Sequence, residues 1–255
     1  MDQDVSSRMR VLNCPIDNLS LEETLNRIEL FVRSGTPHRH VAINVDKLLK
    51  ARSDAALRRI IEEADLISVD GQPVVWAAQL LGGRMKGRVA GIDLMQALVE
   101  RSEQRGWRVY FLGARGAVLE KMVANYRVRF PALQIAGYRH GYWASADEEK
   151  AVVEQIQMAK PDLLFIGVSS PKKEIFAHQH ARAMGVPFIM GVGGSFDVVA
   201  GVTRRAPEWM QHAGLEWFWR FLQEPRRMWR RYLIHDMKFV NLVAREIILG
   251  RRIRS

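Results

Sequence analysis

Six short segments in this 255-residue chain, five of them carrying glycine, follow the ends of apolar runs: Asn44-Val45-Asp46, Asp70-Gly71-Gln72, Gly113-Ala114-Arg115-Gly116, Gly141-Tyr142, Gly167 to Glu174, and Gly191 to Asp197. Glycine lets backbone N–H groups approach an anion, and a helix that starts there adds partial positive charge, so the chemistry suggested is the holding of a phosphate-bearing ligand such as a nucleotide or a sugar nucleotide. Asp70 is one carboxylate and Lys173 one cation that these loops present. Asp-Gly is equally a common turn dipeptide, Asn44 can simply cap a following helix, and the glycines fit neither the dinucleotide fingerprint nor the Lys-Ser/Thr phosphate loop. The expected ligand contacts are Gly71, Gly113, Gly141, Tyr142, Gly167, Lys172, Glu174, Gly193, Gly194 and Asp197.

Other chemistries find little support. His38/His40 and His178/His180 are pairs at spacing two, the first at a strand entrance and the second in a predicted helix, where residues two apart do not share a face. The one Asp-x-Asp, Asp2-Gln3-Asp4, lies at the very N-terminus. No metal is expected. Cys14, the single cysteine, excludes an intramolecular disulfide and reads as a small buried side chain; with no secretory leader at the start, the expected compartment is the reducing cytoplasm.

The elements that must position these loops follow from hydropathy. Apolar runs His40–Val45, Asp65–Val69, Arg108–Leu112, Gln134–Gly137, Asp162–Val168 and Pro187–Val192 alternate with helical patterns over Leu21–Val32, Lys47–Glu63, Ile92–Arg105, Ala117–Arg129, Asp147–Ala159 and Lys173–Met184. That alternation predicts an α/β, Rossmann-like body with a mainly parallel sheet, and in such sheets ligands gather beyond the carboxyl ends of the strands. The body is expected over residues 1–205 and a basic helical appendage over 206–255. From Arg220 onward ten basic residues face three acidic ones, which is +7 of the chain's +10, and four of its seven tryptophans (Trp209, Trp217, Trp219, Trp229) lie in or just before this stretch. Arginine interleaved with aromatics suits an anionic membrane surface or a nucleic acid, or else aromatics that dock the tail while the arginines are solvated. No run reaches the roughly 20 apolar residues that cross a bilayer; Val186–Gly201 is broken by glycines, a serine and an aspartate.

Taken together, Asp65-Leu-Ile-Ser-Val-Asp70-Gly71, Arg88-Val-Ala-Gly91-Ile-Asp93-Leu, Pro171-Lys172-Lys173-Glu174, Gly193-Gly194-Ser-Phe-Asp197, Arg205-Ala206-Pro207 and Leu215-Glu216-Trp217 through Glu224-Pro225-Arg226-Arg227 resemble the WecG/TagA/CpsF glycosyltransferases (glycosyltransferase family 26), over a stretch from about Val11 to Arg231. The resemblance implies an inverting, β-linking, metal-independent transfer of a hexose or N-acetylhexosamine from a UDP-sugar to a polyprenyl-diphosphate-linked saccharide in bacterial surface polysaccharide synthesis. No cofactor beyond the UDP-sugar donor is implied. Asp70 matches the family's proposed base and Arg88 an active-site arginine. Arg220, Arg227 and Arg230 match arginines of a basic appendage that brings the enzyme to the inner face of the plasma membrane and completes its site. Asn44 is placed to orient the acceptor through its amide. Two positions depart from the pattern: Lys173 stands where glutamine is common, and Ala42 where a threonine two residues before Asn44 is common. Both bear on the identity of the sugar more than on the reaction.

Two other function classes remain open to the sequence: a nucleic-acid-binding protein, on its pI near 10, and another UDP-sugar enzyme such as an epimerase, which would give the tail no role. Concentration of the charge in one tail, and the lack of a helix-turn-helix or RNA-binding signature, weigh against nucleic acid as the partner. The sequence leaves a homo-oligomer open.

Overall fold

The computed structural model describes residues 8–223, 225, 236–250 and 253, with the side chains of His212, Arg220 and Asp236 excepted. The first strand, β1 (Arg8–Val11), forms an antiparallel hairpin with β2 (Cys14–Asp17). Its turn uses Leu12 and Asn13, both at positive φ (52° and 68°), the backbone that a two-residue hairpin turn demands. There follow α1 (Leu21–Ser34), β3 (His38–Ile43), α2 (Val45–Ser53), α3 (Ala55–Glu62), β4 (Leu66–Val69), α4 (Gln72–Leu80), α5 (Gly91–Arg105), β5 (Arg108–Gly113), α6 (Gly116–Arg129) and β6 (Gln134–Arg139). The body closes with α7 (Ala146–Ala159), β7 (Leu163–Gly167), α8 (Lys172–Met184), β8 (Phe188–Gly191) and α9 (Ser195–Val199). Beyond it lie α10 (Glu208–His212), α11 (Glu216–Gln223) and α12 (Asp236–Ile248).

The six expected strands form one sheet in the order β4-β3-β8-β7-β5-β6, every pairing parallel. β4 and β7 are buried along almost their whole length and β6, at an edge, is not, as a sheet covered on both faces by crossover helices requires. The Rossmann-like α/β expectation holds. Local chemistry sets the boundaries: Ser20 and Glu23 close a reciprocal capping box at the start of α1. Asp54 splits the helix expected over 47–63, because its carboxylate accepts from Leu57 N–H at 3.0 Å and opens α3 as a separate helix. Two elements go beyond the sequence reading. One is the β1–β2 hairpin, pinned to the sheet where Asp17 accepts from Ile67 N–H at 2.7 Å. The other is α4, begun by Pro73 in its first turn, where proline costs no intrahelical hydrogen bond.

Three clusters fill the interior. One gathers α1, α5 and α6 against the sheet, a second α7 and α8, and a third the hairpin, α2, α3 and α4. α12 belongs to this last cluster through Phe239 and Val243, both buried. Cys14 is buried there too, and burial pushes its thiol up to about 12. Among the described residues no helix is long and apolar enough to cross a membrane.

Candidate active site

The C-terminal ends of β3, β4, β7 and β8 lie side by side, and six of the residues singled out from sequence, Asn44, Asp70, Gly71, Lys173, Glu174 and Gly193, meet there. Asp70 follows β4; its N–H and that of Gly71 both reach Ile43 O, which ties the turn to the end of β3. A Cβ on Gly71 would lie 3.4 Å from Asn44 Cα, so the two loops touch. Asp70 Oδ1 accepts from Gly91 N–H at 2.9 Å, which seats the start of α5 on the carboxylate. Asn44 caps α2, its Oδ1 accepting from Lys47 N–H at 3.0 Å.

Lys173, one residue into α8, crosses from β7 to β8. Its stem fills the space that a Cβ on Gly191 would take, 2.8 Å from Cδ, and Nζ lies 3.2 Å from the Cβ position of Gly193, which has φ +54°. Next to it Glu174 is buried and ion-paired with Lys47, equally buried, at 2.8 Å; Lys173 Nζ stands 3.8 Å from the same oxygen. Lys47 Nζ also donates to Ala42 O at 2.8 Å. Burial would raise Glu174, but the two ammoniums outweigh it and hold the carboxyl below its ordinary value. Burial and then the Lys47 charge pull Lys173 below its ordinary value, with Glu174 and Asp70 opposing. The site is therefore a group of two cations and two carboxylates at the carboxyl end of the sheet, with Lys47 and Glu174 buried and Asp70 and Lys173 half-buried.

Arg88 pairs with Glu216 of α11, and Arg205 bridges Asp93 of α5 (2.6 Å) and Glu216 (3.3 Å). The four charges join the loop after α4, the start of α5 and the first appendage helices. Of the appendage arginines, Arg227, Arg230 and the Arg220 side chain lie outside the described residues.

The remaining expected contacts fall elsewhere. Gly113, Gly167 and Gly141 are packed on one another: a Cβ on Gly113 would sit 2.6 Å from Gly167, one on Gly141 2.9 Å from Gly113 Cα, and one on Gly167 2.4 Å from the Phe196 ring. These glycines allow three chain segments to approach, which is why the positions are glycine. Tyr142, in the loop after β6 and next to Gly141, is exposed. Lys172 turns away from Lys173 and lies over the Trp143 ring at 3.6 Å. Gly194 is exposed at the start of α9 and Asp197 is half-buried within it. Lys47, Glu216 and Arg205 are site residues that sequence reasoning did not assign. Arg205 and Glu216 were visible inside the matched motifs, whereas Lys47 carried no signal.

The histidine pairs are accounted for by packing. His38 stacks on Phe31, His180 contacts Glu149 at 2.8 Å, and His178 lies 3.7 Å from Glu63. His40 is buried with Nε2 2.8 Å from Ser68 Oγ, and burial, then Lys47 and Lys173, push it down to about 3. The unfolded chain takes up that proton below its ordinary 6.5 while the folded chain refuses it until about 3, so folding stability falls as pH drops through this window. The slope approaches about 1.4 kcal/mol per pH unit at most. Urea midpoints measured from pH 7 to 5 are expected to decline, and His40→Gln to flatten the decline; an unchanged slope in the variant would refute a buried neutral His40.

The fold is that of a Rossmann-like α/β protein with a charged site at its strand ends, and comparison with known proteins gives the family. The Glycosyl transferase WecG/TagA/CpsF family matches residues 9–253, and the chain belongs to it. Two relatives carry the name N-acetylglucosaminyldiphosphoundecaprenol N-acetyl-beta-D-mannosaminyltransferase. The one from Bacillus spizizenii is 33% identical over 193 residues, 76% of this chain and 74% of the relative. The one from Bacillus subtilis is 32% identical over 191 residues, 75% and 73% respectively. The protein is thus a glycosyltransferase.

Proposed function

We propose that the protein moves an N-acetylhexosamine from its UDP-sugar to an N-acetylglucosamine carried on polyprenyl diphosphate, with inversion and without a metal, at an anionic membrane surface on the cytoplasmic side. The observation that carries this reading is the placement of Asp70: a carboxylate at a strand end, one oxygen held by Gly91 N–H, in the field of Lys173. The acceptor hydroxyl oxygen attacks the anomeric carbon, and its proton passes to Asp70. The bond from that carbon to the β-phosphate oxygen breaks as the new bond forms, so the product has the opposite anomeric configuration and UDP leaves with the electron pair. Charge growing on the diphosphate must be met by fixed cations and backbone donors. Lys173, the backbone at Gly193 and the appendage arginines are assigned that task, and arginine's fork can grip two phosphate oxygens. Arg88, held by Glu216, is assigned to join the body to the appendage as well as to face the donor.

The direct test incubates the full chain with a panel of UDP-N-acetylhexosamines and a short-chain polyprenyl-diphosphate N-acetylglucosamine. UDP release and a larger lipid-linked product are expected from one donor, at a rate unchanged by EDTA. Loss of turnover in EDTA, restored by a divalent cation, would refute the metal-independent step; retention of the donor's anomeric configuration would refute the single displacement.

A further inference from the structure

α4 starts directly after the Asp70-Gly71 turn, so its orientation is coupled to that of the proposed base. Val74, Val75, Ala77 and Ala78 bury its inner side. Trp76 and Leu80, four residues apart and therefore on one face, are 42% and 67% exposed. The appendage frames this face. At one end Gly214, in the turn between α10 and α11, approaches so closely that a Cβ there would lie 2.5 Å from Gln72 Cγ and 3.2 Å from the Trp76 ring. At the other end Ile253 N–H donates to Leu81 O at 2.9 Å. α11 adds exposed Trp217, Phe218 and Leu222, and Arg84 and Arg204 are exposed beside α4 and α11.

Large apolar side chains flanked by the exposed Arg84 and Arg204, in a chain whose sequence from Arg220 onward carries +7, match the headgroup region of an anionic bilayer, where the rings enter the interface and the cations meet lipid phosphate. Pairing of two copies through the same face would instead bring like charges together. We propose that α4 of the catalytic body is itself a membrane-contact element, with Trp76 and Leu80 entering the interface of an anionic bilayer alongside the appendage. The inference rests on the membrane-surface reading above and adds to it a contact made by the body. Its consequence is a limited working height: at 1.5 Å per residue, Trp76 and Leu80 lie roughly 6 and 12 Å along α4 from Gln72, two residues after Asp70, which holds the base close above the lipid from which a diphosphate-linked acceptor emerges.

The test uses the full chain with Leu80→Cys carrying an environment-sensitive fluorophore, and a control label at Val128→Cys on α6, a position that is also exposed. Vesicles of phosphatidylglycerol and phosphatidylcholine are added and binding is followed in parallel by sedimentation. Expected are co-sedimentation, a blue shift at position 80 and none at 128, and vesicle affinity about tenfold weaker in Trp76→Ser/Leu80→Ser with its circular dichroism unchanged. Co-sedimentation without a shift at 80 would overturn the inference and leave attachment to the appendage alone. No co-sedimentation would overturn both this inference and the membrane-surface reading. A shift at 80 that follows protein concentration in the absence of vesicles would assign the face to self-association and overturn it as well.

Discussion

Asp70→Asn is expected to lower kcat by roughly 10²- to 10⁴-fold, the range spanned by general acid–base catalysis, while leaving the fold intact. The amide keeps a carbonyl oxygen in place of Oδ1, so the hydrogen bond from Gly91 N–H that seats α5 can persist. What is lost is the capacity to accept the acceptor's proton, together with one negative charge in the field of Lys173. Because the substitution removes an interaction realised as the proton moves, kcat and kcat/KM should fall together with little change in KM. The check is steady-state kinetics on the lipid-linked acceptor beside a thermal melt. A variant that keeps its melting temperature and retains more than about a tenth of wild-type turnover would remove Asp70 from the role of base, since that loss is smaller than general-base catalysis supplies.

Glu174→Ala should produce the largest loss of stability among single substitutions at the site. Lys47 and Glu174 are both buried and paired at 2.8 Å, with a second ammonium, Lys173, 3.8 Å from the same oxygen. Taking away the shared carboxylate leaves one buried and one half-buried cation without it, and breaking a buried pair from one side costs about 3–5 kcal/mol. Lys47 keeps only its bond to Ala42 O. Urea unfolding should register that loss, and adding Lys47→Met to Glu174→Ala should restore part of it, because the second change removes one of the stranded charges. If the double variant is no more stable than Glu174→Ala alone, the pair is not what holds this edge of the sheet. The same carboxylate loses its stabilising contribution on acidification: its folded value lies below the ordinary one, so the contribution is present above the ordinary carboxylate value and disappears as pH falls through the folded value.

Much of this molecule is written in local pattern. The strands of the parallel sheet stand out as short apolar runs, most clearly those covered on both faces and least clearly the edge strand β6, and each expected loop begins where a run meets glycine, asparagine or aspartate. The loops that hold Asp70, Asn44 and Lys173 could be selected on that basis, the residues themselves only through the resemblance of their motifs to the family that matches residues 9–253. Local pattern failed where it was ambiguous. α4 is apolar on most sides from Val74 to Ala78, so it shows no helical period; the β1–β2 turn puts a leucine at positive φ, where glycine or asparagine is the usual cue; and Asp54 interrupts what reads as one helix. Only the tertiary structure decided which charges meet. The order β4-β3-β8-β7 sets α2 beside α8, so Lys47 reaches Glu174 from far along the chain, and Gly113, Gly167 and Gly141 prove to be places where backbone presses on backbone. Periodicity and turn chemistry act over a few residues and can be read along the chain, whereas ion pairing and close packing act through space and depend on which strands become neighbours.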